Sequence, residues 1–264
     1  MPVMGIIACR MFEDEIVHVI ENDSSIDDVI IVKNKNIDGL TGKLDDIGHP
    51  YTLSSFEDMV KYLANIDNNN RYYIVVNILE FGLHVNPSDL KNEVYKKVDE
   101  VSQFLDGILV FYGLCGNVLG NIEEDFKDKT CSVRILKENN GEVVDDCIGA
   151  VLGGRNEYFK ALTSSRGVGT FFLTPMWASN WKEMIKDAGF TSDPYDHEMA
   201  KFAFDYAGYK RVGKIETGLN YEKDFQDRVD EFAEAFNFDI VSFHGDLRLI
   251  ENCYEKTKSD IMKC

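Results

Sequence analysis

Apolar runs of strand length alternate with amphipathic runs of helical period along almost the whole chain. The pattern predicts strands near 4–9, 28–33, 72–78, 107–112, 131–136, 169–174, 211–217 and 239–243. Helices are predicted near 11–21, 54–66, 88–104, 146–162, 176–188, 195–207, 222–236 and 247–257. The segments DVIIVKN, YYIVVNIL and GILVFYG are nearly continuous apolar runs, as expected of strands covered by helices on both faces. Asn86-Pro87-Ser88 supplies a helix start with proline in the first turn, and Asn220 is expected to cap a helix from Tyr221. Repeated β-α units of this kind give an α/β fold, a doubly wound, mainly parallel, Rossmann-like sheet.

Two polar stretches, 34–53 and 137–146, are expected to be loops. Thr163–Gly169 is a break in composition, so the reading is one α/β domain over 1–264 or two lobes that meet near residue 165.

Charge narrows the partners. With 28 basic and 46 acidic residues the net charge is 28 − 46 = −18, and no basic cluster offers the footprint that binding nucleic acid demands. An anionic membrane surface is disfavoured for the same reason. There is no apolar run long enough to span a bilayer, and the start, MPVMGIIACRMFEDE, lacks the basic region of a secretory signal. A cytoplasmic protein with thiols rather than disulfides is therefore expected.

The candidate chemistry lies just past the predicted strands. Cys9, His84, Cys115 and Cys147 each follow a different strand or strand-like segment. In a parallel sheet such positions converge on the crevice outside the carboxyl ends, where open α/β folds bind ligands. Thiolate with imidazole is the ligand set of zinc and of iron centres. Each residue also has an ordinary structural reading: a buried strand-end cysteine for Cys9, a tight turn for Gly113-Leu-Cys-Gly116, a hydrogen-bonded or surface histidine for His84. Asp145 and Asp146 work against a thiolate at Cys147. Cys131 and Cys253 read as core, and Cys264 as a free terminal thiol. Later strand ends add Thr174, Thr217 and His244-Gly-Asp246. Arg155 could grip a carboxylate or phosphate in a bidentate fork, or form a surface ion pair with Glu157 or Asp146. No CxxC, GxGxxG, Walker or GxSxG motif occurs.

At these residues the chain resembles the DUF1638 family. The resemblance rests on the first-strand AC at 8–9, LHxNP at 83–87, YGLCGN at 112–117, DCIGAVLGGRNEY at 146–158, GTFFLTPMW at 169–177 and ETG at 216–218. It implies a link to anaerobic one-carbon metabolism, alongside corrinoid-dependent methyltransferase systems. Related sequences often carry histidine before the third cysteine, where this chain has Asp146, so the ligand set here would differ.

Together these readings give a metal-dependent enzyme or accessory factor of methyl-group metabolism, leaning towards methyl transfer. Cys9, His84, Cys115 and Cys147 would hold zinc, or alternatively iron or an iron–sulfur cluster, and Arg155, Thr174 and Thr217 would bind a small-molecule substrate. Three thiolates and a neutral imidazole leave a zinc site with a charge of about −1, suited to activating a thiol. The partner would be a corrinoid protein or a methyltransferase. The alternative is a non-catalytic carrier that holds a corrinoid or other small molecule, although no DxHxxG motif is present.

Overall fold

The computed structural model describes residues 2–65, 71–164 and 167–263. The expected break near residue 165 and the terminal Cys264 lie outside the described residues. Contacts divide the chain into two units, one of residues 1–147 with 248–264 and one of residues 148–247.

The first unit opens with β1 (Val3–Cys9), a short 3-10 turn (Arg10–Phe12) and α1 (Glu13–Asn22). It continues through β2 (Asp28–Val32), α2 (Asp38–Asp46), β3 (Thr52–Ser54), α3 (Phe56–Asn65) and β4 (Tyr73–Leu79). A second 3-10 turn (Phe81–Val85) leads to α4 (Pro87–Val101), β5 (Gly107–Phe111), α5 (Ile122–Asp125) and β6 (Ser132–Ile135). All six strands are parallel, in the order β3-β2-β4-β1-β5-β6. The doubly wound parallel sheet expected from the sequence is thus present. Every residue of β1, β4 and β5 is buried, which is why those runs carry no polar alternation. Asn86 caps α4 as expected, its side chain accepting from Ser88 N at 3.1 Å with Pro87 in the first turn.

The helix α6 (Cys147–Val151) carries the chain into the second unit, which holds α7 (Arg155–Thr163), β7 (Gly169–Leu173), α8 (Pro175–Ser179), α9 (Trp181–Asp187) and α10 (His197–Tyr206). It ends with β8 (Tyr209–Glu216), α11 (Phe225–Phe236) and β9 (Asp239–His244), and its three strands form a parallel sheet β7-β8-β9. Its core is aromatic. Phe171 stacks on Phe232 at 5.2 Å and Phe190 on Phe204 at 4.2 Å, with Trp181, Phe236 and Phe238 meeting these rings edge-on or tilted. The last helix, α12 (Arg248–Ile261), returns to the first unit. There Tyr254 Oη donates to Asp23 Oδ2 at 2.6 Å, and Lys258 Nζ reaches the same oxygen at 2.6 Å. Burial opposes ionisation of Asp23, but these hydrogen bonds and those of Ser25 hold its carboxyl below the ordinary value.

Several expectations are corrected. The predicted helix at 146–162 is two helices, because Gly153 and Gly154 at φ +92° and +120° break it. The one predicted at 176–188 breaks at Asn180 into α8 and α9. Asn220 caps nothing: α11 starts at Phe225, after a turn at 221–224. The stretch 34–53 contains α2 and β3 rather than loop alone.

One feature of α1 runs against its amphipathic pattern. Glu13, Asp14 and Glu15 are all buried, and Lys43 from α2 reaches Glu13 Oε2 and Asp14 Oδ1 at 3.0 Å each. One lysine cannot serve three carboxylates. Burial, with the charge of Asp14 adding to it, pushes the Glu15 carboxyl up to about 8. The folded state therefore holds a proton that the unfolded chain releases near its ordinary carboxylate value, and stability falls as pH rises between about 4.5 and 8.

Two outcomes follow. Glu15→Gln should match the wild type in stability near pH 5 and exceed it by on the order of 2 kcal/mol at pH 8, read by denaturant melts at both pH values; a pH-independent difference would contradict the assignment. Phe204→Ala should cost about 3–5 kcal/mol by emptying the centre of the second unit's aromatic core, measured in the same melts.

Candidate functional site

The carboxyl edge of the first sheet is built by two loops that lie side by side. After β5 the chain runs Tyr112-Gly-Leu-Cys115, and Leu114 N donates to Val144 O at 2.8 Å while Cys115 N donates to Asp145 O at 3.0 Å. Gly113 makes this approach possible, since a Cβ there would sit 2.6 Å from Val144 O and 2.8 Å from Asp146 N. The pairing brings the loop of Cys115 to the segment that ends in Cys147. Beyond it the backbone is left-handed at three successive residues, Cys115 (φ +43°), Gly116 (+79°) and Asn117 (+62°). Left-handed non-glycine residues store strain and persist only where surrounding bonds hold them.

The loops close around a tyrosine. Tyr112 is buried, and Cys9 at the end of β1, Cys115 and Cys147 all act electrostatically on its hydroxyl. Burial, with these sulfurs adding, drives that phenol far above its ordinary value. Burial likewise pushes the Cys9 thiol up to about 12, with Glu13 contributing in the same direction, although the Met11 backbone and Tyr112 oppose it. Cys115 is half-buried as a residue, but its sulfur lies deep, and burial with the nearby Cys9 and Asp146 takes it to about 12 as well. Cys9 and Cys115 are accordingly neutral thiols beside a neutral phenol near pH 7. Tyr112 Oη adjoins Cys9 Sγ closely enough to affect its titration, yet it makes no bond of proper hydrogen-bond geometry. This oxygen is buried without a well-formed partner.

His84 lies on the 3-10 turn after β4 and is half-buried. In the register of β1 and β4, Cys9 is paired with Leu79, the last residue of β4. Among the described residues no group of three or more His, Cys, Asp or Glu side chains is arranged to hold a metal ion. Cys131 is buried beside β6, its thiol also pushed up to about 12 by burial and then Asp106. Cys253 Sγ donates to Lys137 O at 3.2 Å and accepts from Lys137 N at 3.4 Å, a structural pairing of α12 with the strand end.

Arg155, Thr174 and Thr217 belong to the second unit. Thr174 follows β7, Thr217 follows β8 and Asp246 follows β9, so the two threonines and the aspartate share the carboxyl edge of the smaller sheet. Thr174 is buried and its Oγ1 accepts from Trp177 N at 3.2 Å as the cap of α8. Thr217 is half-buried and its Oγ1 accepts from Leu219 N at 3.4 Å. Asp246 N donates to Val151 O at 2.8 Å, which seats the Gly153-Gly154 turn against Asp246, and exposed Arg155 opens the helix that follows. Tyr112 is the member of the thiol group that sequence reasoning treats only as the end of a strand. The signal for it is position alone, three residues before Cys115.

No helix among the described residues is long and apolar enough to cross a membrane. No curated protein matches the chain. Among solved structures, the signal recognition particle receptor FtsY from Elizabethkingia anophelis in complex with GDP is similar at 10% identity and a TM-score of 0.29. The match covers 88% of this chain and 63% of that one. The family model for DUF1638, described as a protein of unknown function, matches residues 78–254 and takes in Cys115, Cys147, His84, Arg155 and both threonines. The chain belongs to the DUF1638 family.

Proposed function

We propose that this protein is a metal-dependent enzyme or accessory factor of methyl-group metabolism, with Cys9, Cys115 and Cys147 as thiolate ligands of zinc and His84 as a fourth ligand. Iron, alone or as an iron–sulfur cluster, is the alternative occupant, because the same soft donors serve both. The observation that carries the reading is the gathering of three thiols, from the end of β1, the loop after β5 and the start of α6, around one buried and poorly partnered tyrosine hydroxyl.

The donor set fits a soft or borderline cation in chemistry. The thiols must first give up protons that burial makes them hold, and a bound cation supplies the charge that reverses this preference. Rotation of the side chains about their χ1 bonds would also be needed to draw the sulfurs together. Tyr112 Oη would donate to a sulfur and orient it. Zinc in such a site would contribute Lewis-acid activation of a thiol substrate. Asp146, beside Cys115, would disfavour a more negative site and so favour a cation of higher charge. The link to methyl transfer, to a corrinoid protein or methyltransferase partner, and to Arg155, Thr174 and Thr217 as substrate contacts rests on the family resemblance and on chemistry at the strand ends.

Protein purified without oxygen should carry about one equivalent of zinc, or iron with sulfide and a brown colour if the alternative holds, by elemental analysis and absorption. Cys9→Ala, Cys115→Ala and Cys147→Ala should each lose the metal, whereas Cys253→Ser should keep it. Full metal content in Cys9→Ala or Cys115→Ala would overturn the site. Gly113→Ala should also lose metal while leaving the far-ultraviolet dichroism of the sheet and helices in place, because it separates the two loops without removing a ligand. In the metal-free protein, Cys9 should resist alkylation at pH 8, consistent with a thiol held near 12.

A further inference from the structure

One strand over from Cys9, between the carboxyl ends of β2 and β4, lies a cavity of about 620 Å3. That is within the range of small-molecule sites, about 300–1,000 Å3. Its floor holds a polar residue where the strand pattern calls for an apolar one. Asn77, in Tyr73-Ile-Val-Val-Asn-Ile-Leu79, is only 5% exposed.

The amide orientation follows from its neighbour. Asn34 Nδ2 donates to Ile78 O at 3.0 Å and to Asn77 Oδ1 at 3.5 Å. Because Asn34 presents its NH2 group to both, Asn77 must turn its oxygen towards Asn34 and its own NH2 group away. Among the described residues that NH2 group has no hydrogen-bond partner, and the residue lines the cavity. That NH2 group opens onto the cavity, where a ligand can accept from it. Asn77 Oδ1 has a second lone pair beside the free N–H, so one face of the cavity offers an adjacent donor and acceptor. Asn92 on α4 lines the same cavity.

The walls are of a different kind. Phe56, Ile78, Leu79 and Leu83 supply an aromatic ring and aliphatic surface. The charges at the rim balance, three lysines against three carboxylates, with Lys35 on Glu80 at 2.9 Å and Lys97 near Glu93 at 4.0 Å. In a chain of net charge −18, a neutral rim neither gathers nor repels ions.

We infer that this cavity binds an uncharged, planar nitrogen heterocycle of the nucleobase class, its donor–acceptor edge on the Asn77 amide and its ring against the Phe56 wall. An asparagine amide meets such an edge through two hydrogen bonds, as asparagine does with adenine. The site stands apart from the thiol centre, so binding should be the same in metal-free and metal-loaded protein.

The experiment is calorimetric titration of the full chain with adenosine, inosine and uridine, alongside the melting temperature of each variant. At least one nucleoside should bind the wild type. Asn77→Leu should weaken it tenfold or more while the ligand-free variant keeps a cooperative melt, because the substitution removes the donor and the acceptor but keeps a side chain of similar size. If Asn77→Leu fails to fold, Asn92→Ala at the exposed rim serves instead, with a severalfold loss expected. Absence of binding by all three nucleosides overturns the proposal, as does equal affinity in wild type and variant. A metal-free preparation that binds as tightly as the loaded one separates this result from the fate of the thiol centre.

Discussion

Two backbone hydrogen bonds, from Leu114 N to Val144 O and from Cys115 N to Asp145 O, govern where the chemistry of the first unit can sit. Without them the loop after β5 would have no reason to lie along the segment before α6, and Cys115 and Cys147 would be unrelated. Gly113 is the enabling residue, for the reason that any side chain would meet the carbonyl of Val144. Holding the loops together has a consequence just downstream. The chain must turn back within three residues, and it does so with Cys115, Gly116 and Asn117 all left-handed. Asparagine and glycine accept that conformation at modest cost, but cysteine has no such preference. A strained cysteine between two favourable residues marks a position where side chain and backbone have been fixed by different demands.

Burial then sets the state of the sulfurs. Burial raises Cys9 and Cys115 alike, and Cys9 adds to the rise at Cys115. As they stand Cys9 and Cys115 resist alkylation and oxidation, since both chemistries start from thiolate. The same arrangement makes the pair selective: a species that brings positive charge is needed to deprotonate both. Glu13 strengthens that argument. It lies close enough to Cys9 to raise its thiol further, and it is itself held by Lys43 and Arg10. The buried acids of α1 and the thiols at the strand ends therefore belong to one electrostatic neighbourhood.

Much of this architecture is legible in the sequence, and the exceptions have physical reasons. The long buried strands announce themselves because helices on both faces remove the polar alternation. β3 does not, since it is three residues long with Thr52 and Leu53 exposed. α2 is hidden by two glycines in Asp38-Gly-Leu-Thr-Gly42, residues that ordinarily argue against a helix. The breaks at Gly153 and Asn180 are hidden for the opposite reason, because the apolar period continues across them. The cysteines are visible as candidates because strand ends of a parallel sheet share one edge, a property of topology that sequence order conveys. Their gathering around Tyr112 is not visible, as it depends on a loop pairing that no periodicity encodes. Asn77 falls between these cases. The letter N inside an otherwise apolar strand is plain, but its meaning depends on which neighbour takes its oxygen.

The strand order explains why the thiols and the cavity occupy adjoining places. From β1 the chain passes over β4 to reach β2, and from β4 it passes over β1 to reach β5. Right-handed crossovers that run in opposite directions place their helices on opposite faces of the sheet. The carboxyl ends of β1 and β4 thus part company, one loop turning to each face, and a crevice is left where they separate. Cys9 and Leu79 are register partners at that point. Cys9 faces the thiol group built from β5 onward, and Leu79 lines the cavity towards β2. A ligand seated on Asn77, the register partner of Ile7, would therefore lie one strand over from Cys9 and two residues back from the strand end. Both sites, on buried strands of the unit, gain their rigidity from the same ladder of backbone bonds.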